Sequence, residues 1–386
     1  MSAGASAGVA IAFGAPIGGA IFVYEHNWPN PFWRNRIFQW RTFTASILAT
    51  LVQTTGVNWY NNDWSEMKGT IISEFHSFYK WKPEASVNDT VYLWVGAVIM
   101  GIVGGLCGAF FINVNTRLNY IRRPNLTSKF KKTFECTLFV FVTANFIFWA
   151  PYIFGTCHKP TQTNKTNAEL EIFRGWCAKS TEMEINNLAS YFWVAEAFLE
   201  GNILDGALEI DITVLQLCVF WAVWYLFFCT TYGTNIPSGL FSPGIVMGMT
   251  VGQIYYQILT DKNWYGATVD PALKRKFMSI GPSAIISGYV RMKYCVAIII
   301  LEICEDFSLF IPMFIAVIVS NHVGDKFTRG VYHRLVRTKQ CPVLTNSIPR
   351  SCLKLKADYI MNPNLKCFHS VEKFSVIAKF LKDGHK

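Results

Sequence analysis

Long apolar segments alternate with shorter polar ones along most of the chain. The segment 92–115 carries glycines at spacings that permit close packing between helices in lipid. Several apolar segments reach the roughly 20 residues that an α-helix needs to cross a bilayer, whereas others are shorter or are interrupted by Gly and Pro. The pattern predicts an all-α polytopic membrane protein. The segments lie at about residues 8–24, 43–59, 92–115, 133–155, 213–231, 243–258, 294–301 and 308–320.

The stretch NIPSGLFSPGIVMGMTVGQ, residues 235–253, predicts a helix that begins inside an apolar region. Pro243 suits the first turn of that helix, because a proline lacks the N–H that would have no intrahelical partner there. The amides of Gly239, Leu240 and Phe241 would then have no intrahelical acceptor. A helix N-terminus carries about half a positive charge, so these amides predict an anion site. The alternative is a hydrophobic helix that only packs.

The chain carries a weak internal repeat. At an offset of 277 residues, segment 4–25 aligns with segment 281–302 without a gap and with six identities in 22 positions. Unrelated segments of this length would share roughly two. Internal repeats are typical of secondary transporters, whose ion sites lie at broken helices between the halves. Glu25 and Glu302 occupy equivalent repeat positions, which indicates helix caps or structural partners rather than transport groups.

The composition supports a membrane protein. Hydrophobic residues make up 52% of the chain and charged residues 16%, with 31 Phe and 13 Trp, a profile unlike that of soluble proteins. The net charge of +10 indicates topology rather than nucleic-acid binding, because no basic segment has interleaved aromatic residues suited to bases. By the positive-inside rule, two basic segments are cytoplasmic. They comprise Arg117, Arg122, Arg123, Lys129, Lys131 and Lys132, and then residues 326–339.

Eight of the eleven cysteines fall into two groups. Most of them lie in or beside apolar segments, as small core residues do. Cys157 and Cys177 instead flank a polar loop with a glycosylation sequon at Asn164, and a second sequon begins at Asn88. If the loop is luminal, Cys157 and Cys177 are candidates for a disulfide.

The chain lacks the usual patterns of enzymes and metal proteins. Cys and His residues are scattered without metal-ligand spacing, and neither a nucleophile–base arrangement nor a phosphate-binding loop stands out. We therefore expect neither an enzyme nor a metal site.

Five motifs in a fixed order resemble the CLC family of voltage-gated chloride channels and chloride/proton exchangers. SAGASAGVAIAFGAPIGGAIFVYE is similar to the family segment SAGAAAGVxAAFGAPxGGxLFSLE, and NIPSGLFSP is similar to its anion motif G-x-F-x-P. GPSAIISGYVRM resembles the matching part of the second repeat, and GVYHRLVR carries the family's pore tyrosine as Tyr332. KADYIMNP resembles the start of the first cytoplasmic CBS domain. The cysteine-bearing loop and the stretch with Phe32, Trp33, Trp40 and Arg41 are most similar to the endosomal and lysosomal exchangers.

The resemblance implies a fold and two domains. Residues 1–345 would form a CLC-type inverted-repeat helical bundle that lacks the first third of the family domain. Residues 346–386 would form a truncated α/β CBS segment, too short for a core of its own and not expected to bind nucleotide. The family motifs G-S-G-I-P and G-K/R-E-G-P do not occur here. We therefore expect a chain truncated at both ends, without a cofactor.

The resemblance also implies an anion pathway. The chloride-binding residues would be Gly239, Leu240, Phe241, Pro243 and Tyr332, with chloride held by the amides of Leu240 and Phe241 and by the Tyr332 hydroxyl. A phenol donates one hydrogen bond without a full charge, and amide dipoles bind an anion weakly enough to release it. The alternative for Tyr332 is a tyrosine of the membrane interface. The implied partners are a second copy of the chain, membrane lipid and an accessory beta subunit.

The proton path of the family is altered in this chain. Exchangers of the family carry two consecutive glutamates where this chain has Glu25 and His26. The second glutamate passes protons from the cytoplasmic side, and a histidine titrates near neutral pH, so both residues are proton-path candidates. The alternative for His26 is an interfacial polar residue. The expected function is chloride/proton antiport of the endolysosomal type, with a passive channel, a non-transporting fragment or a dimerisation partner as alternatives.

Overall fold

The computed structural model consists of two compact units, Met1–Pro342 and Val343–Lys386. It describes residues 1–27, 36–61, 87–125, 128–158, 176–177, 184–193, 212–234, 236, 238–261, 271–304, 306–338, 356, 374–375 and 378. The segment 346–386, predicted to be a partial CBS domain, therefore lies almost wholly outside the described residues. Everything below concerns the first unit.

The first unit is built from α-helices, as the apolar pattern predicts. Among the described residues they are α1 (Ser2–Phe13), α2 (Pro16–Asn27), α3 (Arg36–Asn61), α4 (Val87–Asn125), α5 (Lys129–Phe154), α6 (Ala189–Phe192), α7 (Val214–Thr231), α8 (Phe241–Asp261), α9 (Pro271–Val290), α10 (Cys295–Cys304), α11 (Phe310–Asp325) and α12 (Val331–Thr338). Two short antiparallel strands, β1 (Cys157–His158) and β2 (Ile185–Asn186), pair between α5 and α6.

Four of the described helices are long and apolar enough to cross a membrane. They are Val91–Arg122 within α4, Lys129–Phe154, Val214–Thr231 and Phe307–Asp325. Helices α1 and α10 are also apolar, but their 12 and 10 residues span only about 18 and 15 Å. The expected mixture of full spans and short apolar helices is therefore present.

Helix α4 packs closely against two other helices, α9 and α11. On one face, a Cβ on Gly101 or Gly105 would lie 2.8 Å from the Ala316 carbonyl or 2.7 Å from the Ser320 carbonyl of α11. On the other face, Gly104 and Gly108 meet the backbone of α9 just as closely. Small residues bring helix backbones together in lipid, where burial of apolar side chains gives no advantage over lipid contact. The glycine spacing in the sequence thus marks two helix contacts.

The apolar segment 8–24 is not one helix, although its sequence suggests a continuous one. Helix α1 ends at Gly14, whose backbone is left-handed with φ of 62°, and α2 begins at Pro16. Glycine allows this conformation without steric cost, and proline suits a helix start. The segment 281–302 is broken at the equivalent repeat position, Arg291, with φ of 65°.

The carboxylate of Glu25 caps a helix of the other repeat. It lies near the end of α2 and accepts hydrogen bonds from the amides of Lys293, Tyr294 (3.1 Å) and Cys295 (3.0 Å), at the start of α10. Both carboxylate oxygens take part. An anion at a helix N-terminus satisfies free amides and complements the helix dipole.

Glu302 makes the reciprocal cap, from the second repeat to a helix of the first. It lies near the end of α10 and accepts hydrogen bonds from the amides of Ile17 (3.0 Å) and Gly18 (2.7 Å), at the start of α2. Ile17 and Gly18 are the repeat equivalents of Tyr294 and Cys295, at the offset of 277. Helices α2 and α10 therefore cap each other, and the two glutamates are caps in both repeats.

Candidate functional site

Helix α8 begins where the sequence predicts a broken helix. Its first residue is Phe241, and Pro243 lies in the first turn. Ser238 and Gly239 are exposed, whereas Leu240 and Phe241 are buried. The first amides of a helix have no intrahelical acceptor, so the start of α8 presents peptide N–H groups at the border between open space and the core.

A buried tyrosine orients the peptide at this helix start. The hydroxyl of Tyr289, on α9, donates a 2.6 Å hydrogen bond to the carbonyl of Leu240. In a trans peptide the carbonyl and the following N–H point in opposite directions. The bond therefore turns the Phe241 amide away from Tyr289. Gly244 leaves room for this contact, since a Cβ there would meet the Tyr289 hydroxyl and lie 2.7 Å from Ile286.

The role of Tyr289 was not predicted from the sequence. The residue lies in the motif GPSAIISGYVRM and is 1% exposed, so it occupies a core position. One general rule points to such a role, because a buried tyrosine hydroxyl needs a hydrogen-bond partner. The partner lies 49 residues away, and only the fold reveals it.

Aromatic contacts connect Phe241 to Tyr332. The Phe241 ring contacts Phe13 at 5.6 Å and Phe22 at 5.9 Å between ring centroids. Phe22 stacks on His26 at 6.0 Å, and His26 meets Tyr332 edge to face at 5.0 Å. Helices α1, α2, α8 and α12 thus bring three sequence-predicted site residues into one ring cluster.

His26 lies at the exposed end of this cluster. The residue is exposed, and its ring also contacts Phe22 and Tyr332. Because these contacts remove water from the imidazole, the pKa of His26 is lowered from its ordinary value of 6.5. Burial therefore favours the neutral form of the ring. Its neighbour Glu25 already holds the start of α10 with both carboxylate oxygens.

A cavity of about 350 Å³ adjoins the start of α8. Helices α5 and α7 form its other walls, and the lining includes both hydroxyl groups and aromatic rings. The residues are Thr143, Ile147, Trp224, Phe227, Phe228, Thr231, Tyr232, Ser238, Gly239, Ser242 and Pro243. Among the described residues, no heavy atom lies within 4 Å of the position that a Cβ on Gly239 would take, so the backbone here is open to a small solute.

The disulfide candidates do not line this cavity. Cys157 and Cys177 form a disulfide with Cα atoms 5.8 Å apart, next to β1. Asn88 belongs to the first turn of α4, and Asn164 lies outside the described residues. Within the described part of the chain, no group of three or more His, Cys, Asp or Glu side chains is arranged to hold a metal ion.

Comparison with known proteins identifies the family. A model of the family "Voltage gated chloride channel" matches residues 1–325. The chain is 28% identical to "H(+)/Cl(-) exchange transporter 7" of Homo sapiens, over 99% of this chain and 45% of the relative. It is also 28% identical to "Chloride channel protein A" of Dictyostelium discoideum, over 99% of this chain and 46% of the relative. The chain therefore spans about half the length of the curated relatives it matches.

Solved structures share the fold. A eukaryotic CLC transporter superposes with a TM-score of 0.58 at 18% identity, covering 100% of this chain and 55% of that structure. A slow cyanobacterial Cl⁻/H⁺ antiporter superposes with a TM-score of 0.55 at 13% identity, covering 88% of this chain and 64% of that structure. Members of this family are membrane-embedded channels and transporters, not enzymes. With the family model matching most of its length, the chain belongs to the voltage-gated chloride channel family.

Proposed function

We propose that this protein transports chloride across a membrane, by chloride/proton antiport of the endolysosomal type. The observation that carries the proposal is the buried hydrogen bond from Tyr289 to Leu240, which orients the Phe241 amide at a broken helix. The similarity to an H(+)/Cl(-) exchange transporter supports the same transported ions.

In this proposal, neutral donors bind a dehydrated chloride. The amides of Leu240 and Phe241 and the hydroxyl of Tyr332 donate to the ion. Gly239 adds no side chain, and Pro243 lies in the first turn of α8, where it has no N–H group to leave unpaired. A helix N-terminus supplies about half a positive charge. Because no full cation takes part, the site attracts the anion and still releases it.

His26 is the proposed proton acceptor next to this path. Its neutral ring can accept a proton and release it, and its contact with Tyr332 places it beside the proposed chloride ligand. Glu25 remains the second proton-path candidate, although three amides already occupy its oxygens. A passive chloride channel is the alternative, favoured by a histidine where exchangers of the family carry a glutamate.

The proposed assembly and domain organisation are based on the resemblance to the family. We propose a homodimer with one pore per subunit, residing in endosomal or lysosomal membrane and associating with an accessory beta subunit. Residues 1–345 would form the membrane domain, and residues 346–386 would form part of a CBS domain.

Ion flux from liposomes tests the proposed anion path. Purified protein is reconstituted, and chloride and proton movements are recorded together. Tyr289→Phe should weaken chloride binding about tenfold, because the loss of one buried hydrogen bond costs about 1 kcal/mol or more and releases the Phe241 amide. Tyr332→Phe should change the chloride-to-nitrate flux ratio.

The matched control is Tyr120→Phe, since the Tyr120 side chain is 79% exposed at the end of α4. It removes the same hydroxyl group away from the site and should leave flux and selectivity unchanged. Wild-type chloride affinity and selectivity in both site variants would rule out the proposed site.

A further inference from the structure

Arg291 has a backbone conformation that is unusual for its residue type. Among the described residues it is the one non-glycine with positive φ, at 65°. The first repeat has Gly14 at the equivalent position, with nearly the same φ of 62°. A left-handed conformation costs free energy for any residue with a Cβ, and such strain persists only where surrounding contacts hold it. The contacts of the arginine side chain must therefore compensate for this backbone strain in the second repeat.

The guanidinium of Arg291 is inserted against the end of α11. Its Nη1 donates to the carbonyls of Ser320 (3.2 Å) and Asn321 (3.3 Å), and its Nη2 donates to the Thr328 hydroxyl (3.4 Å). Its Nε lies 3.6 Å from the Asp325 carboxylate, and the side chain is 8% exposed. A cation at the last turn of a helix complements the helix dipole. Arg291 thus holds the last turn of α11.

Two glycines make room for this side chain. A Cβ on Gly324, in the last turn of α11, would collide with the guanidinium. A Cβ on Gly330, immediately before α12, would lie 2.9 Å from the Arg291 Cγ. The arginine therefore contacts both ends of the link between α11 and α12, and Thr328 adds a third contact inside that link.

This link determines where Tyr332 lies. Tyr332 is the second residue of α12 and follows Gly330 by two positions. The Gly330 carbonyl also accepts the first-turn hydrogen bond of α12 from the Arg334 amide, at 3.1 Å. A shift of Gly330 would therefore move the start of α12 and the ring that meets His26.

We propose that Arg291 is a positioning residue that sets the location of the Tyr332 hydroxyl in the anion path. It acts through the link from Gly324 to Gly330 and does not contact the ion. The inference rests on the proposed role of Tyr332 as a chloride ligand. If Arg291 merely supported the fold, its loss would lower the amount of active protein but leave the anion selectivity of each molecule unchanged.

The test is the ratio of nitrate to chloride flux in liposomes, measured on the monodisperse full protein. The first variant is Arg291→Gly, because glycine keeps the left-handed turn, as Gly14 does, and removes only the side chain. The second is Arg291→Lys, which keeps the charge but cannot reach the carbonyls and Thr328 at once. The control is Asp325→Asn, since Asp325 is 60% exposed and its loss leaves the three hydrogen bonds in place.

We expect both arginine variants to change the flux ratio about three- to tenfold, in the direction of Tyr332→Phe, while Asp325→Asn keeps the wild-type ratio. Adding Tyr332→Phe to Arg291→Gly should give no further change, because coupled positions are not additive. If Arg291→Gly does not yield folded protein, the flux ratio of Arg291→Lys alone tests the proposed role of Arg291.

Two results would overturn the inference. They differ in whether the proposed role of Tyr332 as a chloride ligand also fails. A wild-type ratio in the arginine variants together with a changed ratio in Tyr332→Phe would refute the role of Arg291 and leave the proposed function intact. A wild-type ratio in Tyr332→Phe would instead refute Tyr332 as a ligand, and the role of Arg291 with it.

Discussion

Replacing Glu25 distinguishes between two roles for this residue, that of a helix cap and that of a proton carrier. In Glu25→Ala the amides of Lys293, Tyr294 and Cys295 lose their acceptor. Lys293 and Tyr294 are exposed residues, so the loss of the acceptor costs less at their amides. The Cys295 amide belongs to a residue that is 0% exposed, and a buried donor without a partner costs about 1–3 kcal/mol.

The loss of charge at the start of α10 adds to this cost. An anion at a helix N-terminus contributes about 0.3–1 kcal/mol. The expected destabilisation of Glu25→Ala is therefore about 1–4 kcal/mol in total. In Glu25→Gln the amide oxygen still accepts hydrogen bonds, and the expected loss falls to about 1 kcal/mol. Glu302→Ala is the matched variant, since Glu302 makes the reciprocal cap with one buried partner, Gly18.

Thermal unfolding of the purified protein measures this effect, at about 2–4 °C per kcal/mol. Both alanine variants should lower the midpoint by similar amounts, and Glu25→Gln by less. The chloride-to-proton ratio of Glu25→Gln in liposomes should equal that of the wild type. Glu25→Gln protein that keeps its stability and chloride flux but no longer moves protons would refute the capping role and make Glu25 the proton carrier.

Two further predictions concern the disulfide and His26. Cys157→Ser should lower the unfolding free energy by about 3 kcal/mol, because the bond closes a loop with a sequence separation of 20 residues. Reductant should lower the melting midpoint of the wild type but not of this variant, and the exposed free Cys218 provides the control Cys218→Ser. His26→Gln should abolish the change in chloride flux that accompanies acidification below pH 6.5, where the ring becomes charged, and should leave flux near pH 8 unchanged. An unaltered pH profile would exclude His26 from the path.

Much of the fold follows from local pattern. The apolar segments predict the long helices, and the glycine spacing in α4 predicts its close contacts, because both depend on the chemistry of one segment. The extent of the apolar segment 8–24 does not reveal the break at Gly14, because the residues on both sides of Gly14 and Pro16 are apolar. Hydrophobicity alone does not distinguish one helix from two.

Long-range features were harder to predict from the sequence. The repeat alignment gives Glu25 and Glu302 equivalent positions, but only the fold shows that each caps the other repeat. The left-handed turn at Arg291 depends on carbonyls about 30 residues later, so no local signal marks it. The hydrogen bond of Tyr289 is likewise hard to predict, because its acceptor is the backbone carbonyl of Leu240. Every residue has such a carbonyl, so the sequence does not indicate which one accepts the bond.

The central claim is that an anion binds to the oriented amide at the start of α8. The most direct measurement is the anomalous diffraction of bromide in crystals of the protein grown with bromide in place of chloride. The account predicts a bromide peak within hydrogen-bonding distance of the Phe241 amide, and loss of that peak in Tyr289→Phe. A fully occupied bromide elsewhere in the membrane region, with none at the Phe241 amide, would contradict it.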